Sequence, residues 1–151
     1  INIHVGGVYG DKESTLNRFC ENFHLLNEDT KKRLVIENDD SPNEFSVKDL
    51  FNGVYKRIGI PITFDYFHHK FNTGGLTEEE ALKLASTTWP EGVTQCCHYS
   101  ESRRKEKLDE SIRPQAHSDI IYNKIQTYGL SPDIVIEAKL KEQAIFKGPK
   151  M

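Results

Sequence analysis

What this sequence has little of narrows its class. Its 151 residues include no apolar run long enough to cross a bilayer, and its opening residues lack a signal-peptide pattern, so no membrane association is expected. Cysteine is scarce and odd in number: Cys20, Cys96 and Cys97, two of them adjacent. That excludes a disulfide framework and fits a reducing compartment. Positive charge is not in surplus. Twenty Lys and Arg face 23 Asp and Glu, a net charge of -3, so no global basic field recruits nucleic acid. Any such binding must be local or metal-assisted. No Gly-x-Gly-x-x-Gly follows the first strand and no Walker loop is present, which disfavours a nucleotide-binding doubly wound sheet.

What is present is an alternation. The mean hydropathy of -0.61 and the 36% apolar content describe a soluble single domain with a sizeable core. Ile1 to Gly7 reads as a short strand running into a Gly-rich turn, and Asp11 to Leu26 as a helix with Leu16, Phe19 and Phe23 on one face. Arg33 to Asp40 is the second strand. Ser46 caps a helix with Asp49 in its first turn, and Gly59 with Pro61 ends it. Ile60 to Asp65 is the third strand. Thr77 and Glu80 form a capping box for a helix to about Thr87. Val93 to Ser100 is the fourth strand, followed by a polar loop from Glu101 to Gln115. A helix is expected from Ser118 or Asp119 to Gly129, a fifth strand over Asp133 to Ala138, a helix from Lys139 to Phe146, and a loose tail from Lys147 to Met151. Strands apolar throughout, alternating with helices, imply a parallel sheet covered on both faces. The fold class expected is an α/β (β/α)8 TIM barrel, of which this chain supplies about the last five βα units. Because the first residues already read as a core strand, the natural chain is expected to begin earlier.

In such a barrel, function collects at the carboxyl ends of the strands. Those ends carry His4, Glu37, Asp65 with His68, His98 and Glu137, with His117 just before the next expected helix. Five of the six histidines fall at or beside these ends, His69 being the extra one and His24 the exception. A solvated face would scatter them. Imidazole plus carboxylate without a thiolate cluster suits Mn²⁺, Zn²⁺ or Fe²⁺. Seven ligands are too many for one ion. Two or three ions sharing a bridging carboxylate, Glu37 or Glu137, would use them, and such clusters act on phosphodiesters.

The stretches Arg33-Leu34-Val35-Ile36-Glu37-Asn38-Asp39-Asp40, Gly59-Ile60-Pro61, Phe64-Asp65-Tyr66 before His68-His69, His98-Tyr99-Ser100, Ala116-His117-Ser118-Asp119 and Glu137-Ala138-Lys139 before Lys141-Glu142-Gln143-Ala144 resemble the ultraviolet-damage endonucleases. The resemblance spans Ile1 to about Phe146. It implies a TIM barrel related to apurinic endonuclease IV that nicks damaged double-stranded DNA 5′ of ultraviolet photoproducts and some other lesions. It implies up to three divalent ions, manganese preferred and zinc the alternative, held by His4, Glu37, Asp65, His68, His98, His117 and Glu137. Glu37, Asp65, His98 and Glu137 are the expected catalytic centre. Water activated by metal would be the nucleophile, so no side-chain nucleophile is needed. An intracellular site is implied, cytoplasmic in a prokaryote or nuclear in a eukaryote.

Three departures stand out against the family pattern. Only the last five strands are matched, and the front part would carry two further metal histidines and the residues that probe the lesion. Some members have a modified lysine where this chain has Cys96. A run of three histidines reads Phe67-His68-His69 here. Arg103, Arg104, Lys105 and Lys107 lie in the loop after the fourth strand and are candidates for DNA phosphates, though Glu101, Glu106, Asp109 and Glu110 offset them. Lys139 is placed to face the site, and His69 stands beside it. Two other readings remain: a truncated, inactive fragment or metal-binding relative with open sheet edges, and a metal-dependent sugar isomerase on a similar barrel.

Overall fold

The computed structural model describes residues 1–147. Five parallel strands form one sheet in the order β1 (Asn2–Ile3), β2 (Val35–Glu37), β3 (Ile62–Asp65), β4 (Cys96–Tyr99), β5 (Asp133–Ile136). Every strand neighbours its successor, with no reversal of order, which is the progression of a barrel wall and not of a doubly wound sheet. β3 is buried at every position, as a strand covered on both faces requires. β5 is not. Its residues alternate, and Val135, in register with His98 and so on the same face, is 47% exposed: that face of β5 is uncovered.

Local chemistry sets the helices. Asp11 caps α1 (Lys12–Phe23) by accepting the Ser14 N–H. A short helix not expected from the sequence, α2 (Glu28–Arg33), follows. Asn27 caps it through the Thr30 N–H at 2.8 Å, and three basic residues fill its last turn. The expected Ser46 cap opens α3 (Val47–Leu50), and Asp49 in its first turn completes a capping box with it. A π-helical stretch at Phe51–Tyr55 leads into α4 (Lys56–Ile58), and Gly59 stops it at φ 72°. α5 (Tyr66–His69) is a single turn capped by Asp65. α6 (Glu78–Ser86) opens on the Thr77–Glu80 capping box. Val47, Leu50 and Val54 pack with Ala81, Leu82 and Ala85 on Ile36, Ile62, Phe64 and Cys97, all buried.

After β4 the structure departs from the expected order. The expected polar loop contains a helix, α7 (Arg103–Lys107), capped by Ser102. Conversely, two expected helices are not formed as read. Residues 118–132 carry no helix. Their amides are claimed by side chains: Glu106 accepts from Asp119 and Ile120 at 3.0 and 3.1 Å, and buried Glu101 accepts from Tyr122 and Asn123 at 2.6 and 3.1 Å. An N–H committed to a carboxylate cannot join a helical ladder. Ile121, Ile125 and Tyr128 nevertheless reach the core. The last helix, α8 (Gln143–Lys147), starts four residues late. The Lys139 and Leu140 N–H groups donate to Ser118 and Asp119 carbonyls, and Lys141 sits at φ 51°. Of the expected loose tail, Lys147 belongs to α8 and 148–151 lie outside the described residues.

Candidate metal centre

β2 ends on Glu37 and β3 on Asp65, both buried, and the register sets Asp65 beside His98 of β4. His4 lies just past β1 and Glu137 just past β5. His68 is delivered by α5, whose first turn starts immediately after Asp65. His117 is held where Ser102 and His117 pair in an antiparallel bridge. Glu37 is the hub. Its Oε2 is 3.2 Å from His98 Nδ1 and 3.8 Å from His4 Nε2, and its Oε1 is 3.4 Å from His68 Nδ1. His98 Nδ1 is also 3.3 Å from Glu137 Oε1, while Glu137 Oε2 is 3.9 Å from His117 Nδ1. Two donor groups result, His4–Glu37–His68 and Glu37–Asp65–His98. Within each, the ligand atoms lie inside 4.8 Å of one another, and Glu37 is common to both.

The electrostatics ask for a cation. Burial opposes charge on Glu37, but His98, Asn2 and His4 outweigh it and hold the carboxyl at about 2. Burial lifts Asp65 to about 7, against the pull of His68. Glu137 and then Glu37 push the His98 imidazole up to about 10. Three carboxylates are thus gathered around one protonated ring, a poor substitute for a metal ion. Asp65 Oδ2 and His98 Nδ1 are buried with no hydrogen-bond partner among the described residues, although two carboxylates lie close to that ring nitrogen. Buried polar atoms left unpaired are costly, and these converge on one volume. The donor set therefore fits divalent metal ions. Cys96 adds no soft ligand, since burial raises its thiol pKa and keeps it neutral.

Supporting residues went unassigned in the sequence. Asp39 Oδ1 is 2.7 Å from His4 Nδ1, which turns Nε2 toward Glu37. Asn38 is fully buried: its Oδ1 accepts the Asp65 N–H at 2.8 Å, its Nδ2 donates to the Asp65 carbonyl at 3.1 Å, and its own carbonyl lies 2.8 Å from His68 Nδ1. That contact assigns the His68 proton to Nδ1 and leaves Nε2 as its lone pair. Asn2 donates to Glu37. The signal was the Glu-Asn-Asp run directly after a core strand, whose polar residues point back at the strand ends.

Other sequence candidates lie elsewhere. His69 is buried, packs on Phe64 with ring centroids 5.4 Å apart, and joins neither donor group. Arg103 pairs with Asp119 at 3.0 Å, and Arg104 with Glu110 at 2.9 Å and the Ile112 carbonyl at 2.7 Å. Lys105 is exposed, and so is Lys139, whose charge helps depress His117 and Asp119. Trp89 donates to the Ile62 carbonyl and Tyr99 to Glu101, both structural uses.

Fold and site together define an arc of a parallel (β/α)8 barrel with clustered imidazole and carboxylate donors at the strand ends. The sequence model of the family described as UV-endonuclease UvdE matches residues 1–150. A UV-damage endonuclease of Schizosaccharomyces pombe is 38% identical over 151 residues, covering 96% of this chain and 24% of that protein. A UV DNA damage endonuclease of Bacillus pumilus is 37% identical, covering 97% of this chain and 46% of that one. The crystal structure of SacUVDE superposes with a TM-score of 0.79 at 37% identity, over 95% of this chain and 47% of that one. This chain belongs to the UV-endonuclease UvdE family, and it spans half the length of these relatives or less. The sugar-isomerase alternative finds no support in these matches.

Proposed function

We propose that this chain carries the metal-binding side of a DNA repair endonuclease that hydrolyses a phosphodiester 5′ to ultraviolet photoproducts and related lesions, leaving a 3′-hydroxyl. The observation that carries the reading is the position of Glu37, whose two carboxylate oxygens face three histidines from three different strand ends. Family membership supports an enzyme acting on damaged double-stranded DNA. The donor chemistry supports two or three divalent ions, manganese or zinc, held by His4, Glu37, Asp65, His68, His98, His117 and Glu137. Bound there, such ions would supply Lewis acidity to a phosphodiester and its leaving oxygen. The chain's own residues set the geometry. Asp39 orients His4, Asn38 fixes the ring of His68 and the backbone of Asp65, and Glu37, common to both donor groups, would be shared between ions held there. No serine or cysteine nucleophile is required by this reading.

The domain reading, residues 1–151 as the C-terminal part of one barrel domain, belongs to the same proposal. A closed barrel needs eight strands, and we propose that the remaining three are supplied by a preceding segment. A second reading, of a chain inactive by itself, is favoured by the position of β5 at the edge of the sheet, with Val135 exposed on the face that carries His98. One assay separates them. A duplex carrying a single photoproduct is incubated with the purified chain in Mn²⁺ and in EDTA. Nicking 5′ of the lesion in Mn²⁺ alone supports the enzyme, while intact DNA in both supports the inactive fragment. Among the described residues no helix is long and apolar enough to cross a membrane.

A further inference from the structure

A cavity of about 440 Å³ lies beside the donor cluster, bounded by Phe67, Lys70, Phe71, Arg104, Lys105 and Tyr122. The ring of Phe67 meets the ring of His117 edge-on at 5.7 Å, so one wall separates the cavity from the cluster. Most charges around it are already matched. The Glu101 carboxylate accepts from the Tyr99 hydroxyl, the Tyr122 and Asn123 amides and the Asn123 side chain. Glu110 takes Arg104, and outside the cavity Asp119 takes Arg103 and Lys107. Lys70 and Lys105 are what remain. Both are exposed, and among the described residues neither has a carboxylate partner. Lys70 Nζ stands 6.0 Å from the Phe67 ring centroid, a cation–π contact that holds its ammonium at the aromatic wall.

We infer that this cavity is a subsite for the DNA backbone. Lys70 and Lys105 bind a phosphate of the strand being cut, a short distance from the bond at the cluster, and Phe67, Phe71 and Tyr122 line the space for the adjoining sugar or base. The inference rests on the function proposed above. With a net charge of -3 the chain has no global field to hold a polyanion, so available cations beside the metal donors are where local contact must come from. Lysine suits a phosphate as a point charge, and aromatic faces accept any base. The volume is within the range of small-ligand sites, about 300–1,000 Å³. Of the cations in the loop after β4, the pairing pattern leaves only Lys105 for this work, and it adds Lys70, which lies outside that loop.

The test is fluorescence anisotropy of a labelled duplex bearing one photoproduct, titrated with the purified chain across a salt series, in Mn²⁺ and in EDTA. K70Q and K105Q should each weaken binding several-fold. The double variant should lose about tenfold or more, and its log K against log salt should be shallower by about one for each phosphate that is no longer neutralised. Metal content and melting temperature should stay at the parent values, and R103Q, which touches only Asp119, should bind as the parent does. A double variant with the parent affinity and slope overturns the subsite, as does a parent chain that binds no DNA. Loss of binding that depends on the lysines in EDTA sustains the subsite even where metal analysis refutes the cluster, so the two readings fail separately.

Discussion

Asp39 holds His4: Oδ1 and Nδ1 are 2.7 Å apart, and the contact aims the other ring nitrogen at Glu37. A carboxylate behind a metal histidine fixes its tautomer and raises its basicity, and losing one typically lowers metal affinity about 10–100-fold. Asp39→Asn should weaken Mn²⁺ or Zn²⁺ binding by that order in a competition titration against a chelator, with a small change in melting temperature. Unchanged affinity would remove Asp39 from the site.

Asn38 makes a stronger demand on the fold. Its side chain satisfies both the N–H and the carbonyl of Asp65 in a fully buried setting. Asn38→Leu leaves both unpaired, and each buried orphan costs about 1–3 kcal/mol. Denaturant unfolding should show a loss of about 2–6 kcal/mol. A loss below about 0.5 kcal/mol, the scale of an ordinary surface change, contradicts the role.

Gly74 sits at φ 57°, and a Cβ there would meet the Ser46 hydroxyl, which caps α3. Gly74→Ala therefore strains the backbone and disturbs a cap at once. The expected loss is about 1–3 kcal/mol in chemical denaturation, and an alanine variant as stable as the parent would show that the cap can move aside.

Metal uptake should release protons. Without metal, His98 is held up at about 10 and Asp65 at about 7, so at pH 7 the cluster carries protons that an incoming cation must displace. The raised His98 gives the metal-free chain stability that is full below its ordinary value of about 6.5 and lost as pH rises toward about 10. The raised Asp65 acts in the same direction, from its ordinary 3.8 to about 7. The gain in melting temperature on adding Mn²⁺ should therefore grow from pH 6 to pH 8. A gain that shrinks over that interval contradicts this protonation scheme.

Much of the architecture was legible because it rests on local chemistry. The cap at Ser46, the capping box at Thr77 and the stop at Gly59 lie where residue types alone put them. The meeting of the strand-end histidines and carboxylates was legible too, because a barrel brings every carboxyl end to one rim. Tertiary competition was not legible. The apolar spacing of Ile121, Ile125 and Tyr128 matches a helix, and only the buried carboxylate of Glu101, distant in sequence, shows why the amides of Tyr122 and Asn123 do not form one. His69 shows the same limit. Next to His68 in sequence, it lands on Phe64, because successive residues of a helix such as α5 point about 100° apart. Asn38 and Asp39 were part of a recognisable run, but their work depends on contacts to Asp65 and His4 that no spacing rule encodes.

The most direct measurement is the metal content of the purified chain beside that of Glu37→Ala, by elemental analysis after exhaustive dialysis. A bridging Glu37 predicts about two ions per parent chain and loss of most of them in the variant, with the fold retained by circular dichroism. A parent chain without bound metal, or a variant that keeps the parent's content, would contradict a metal cluster built on Glu37.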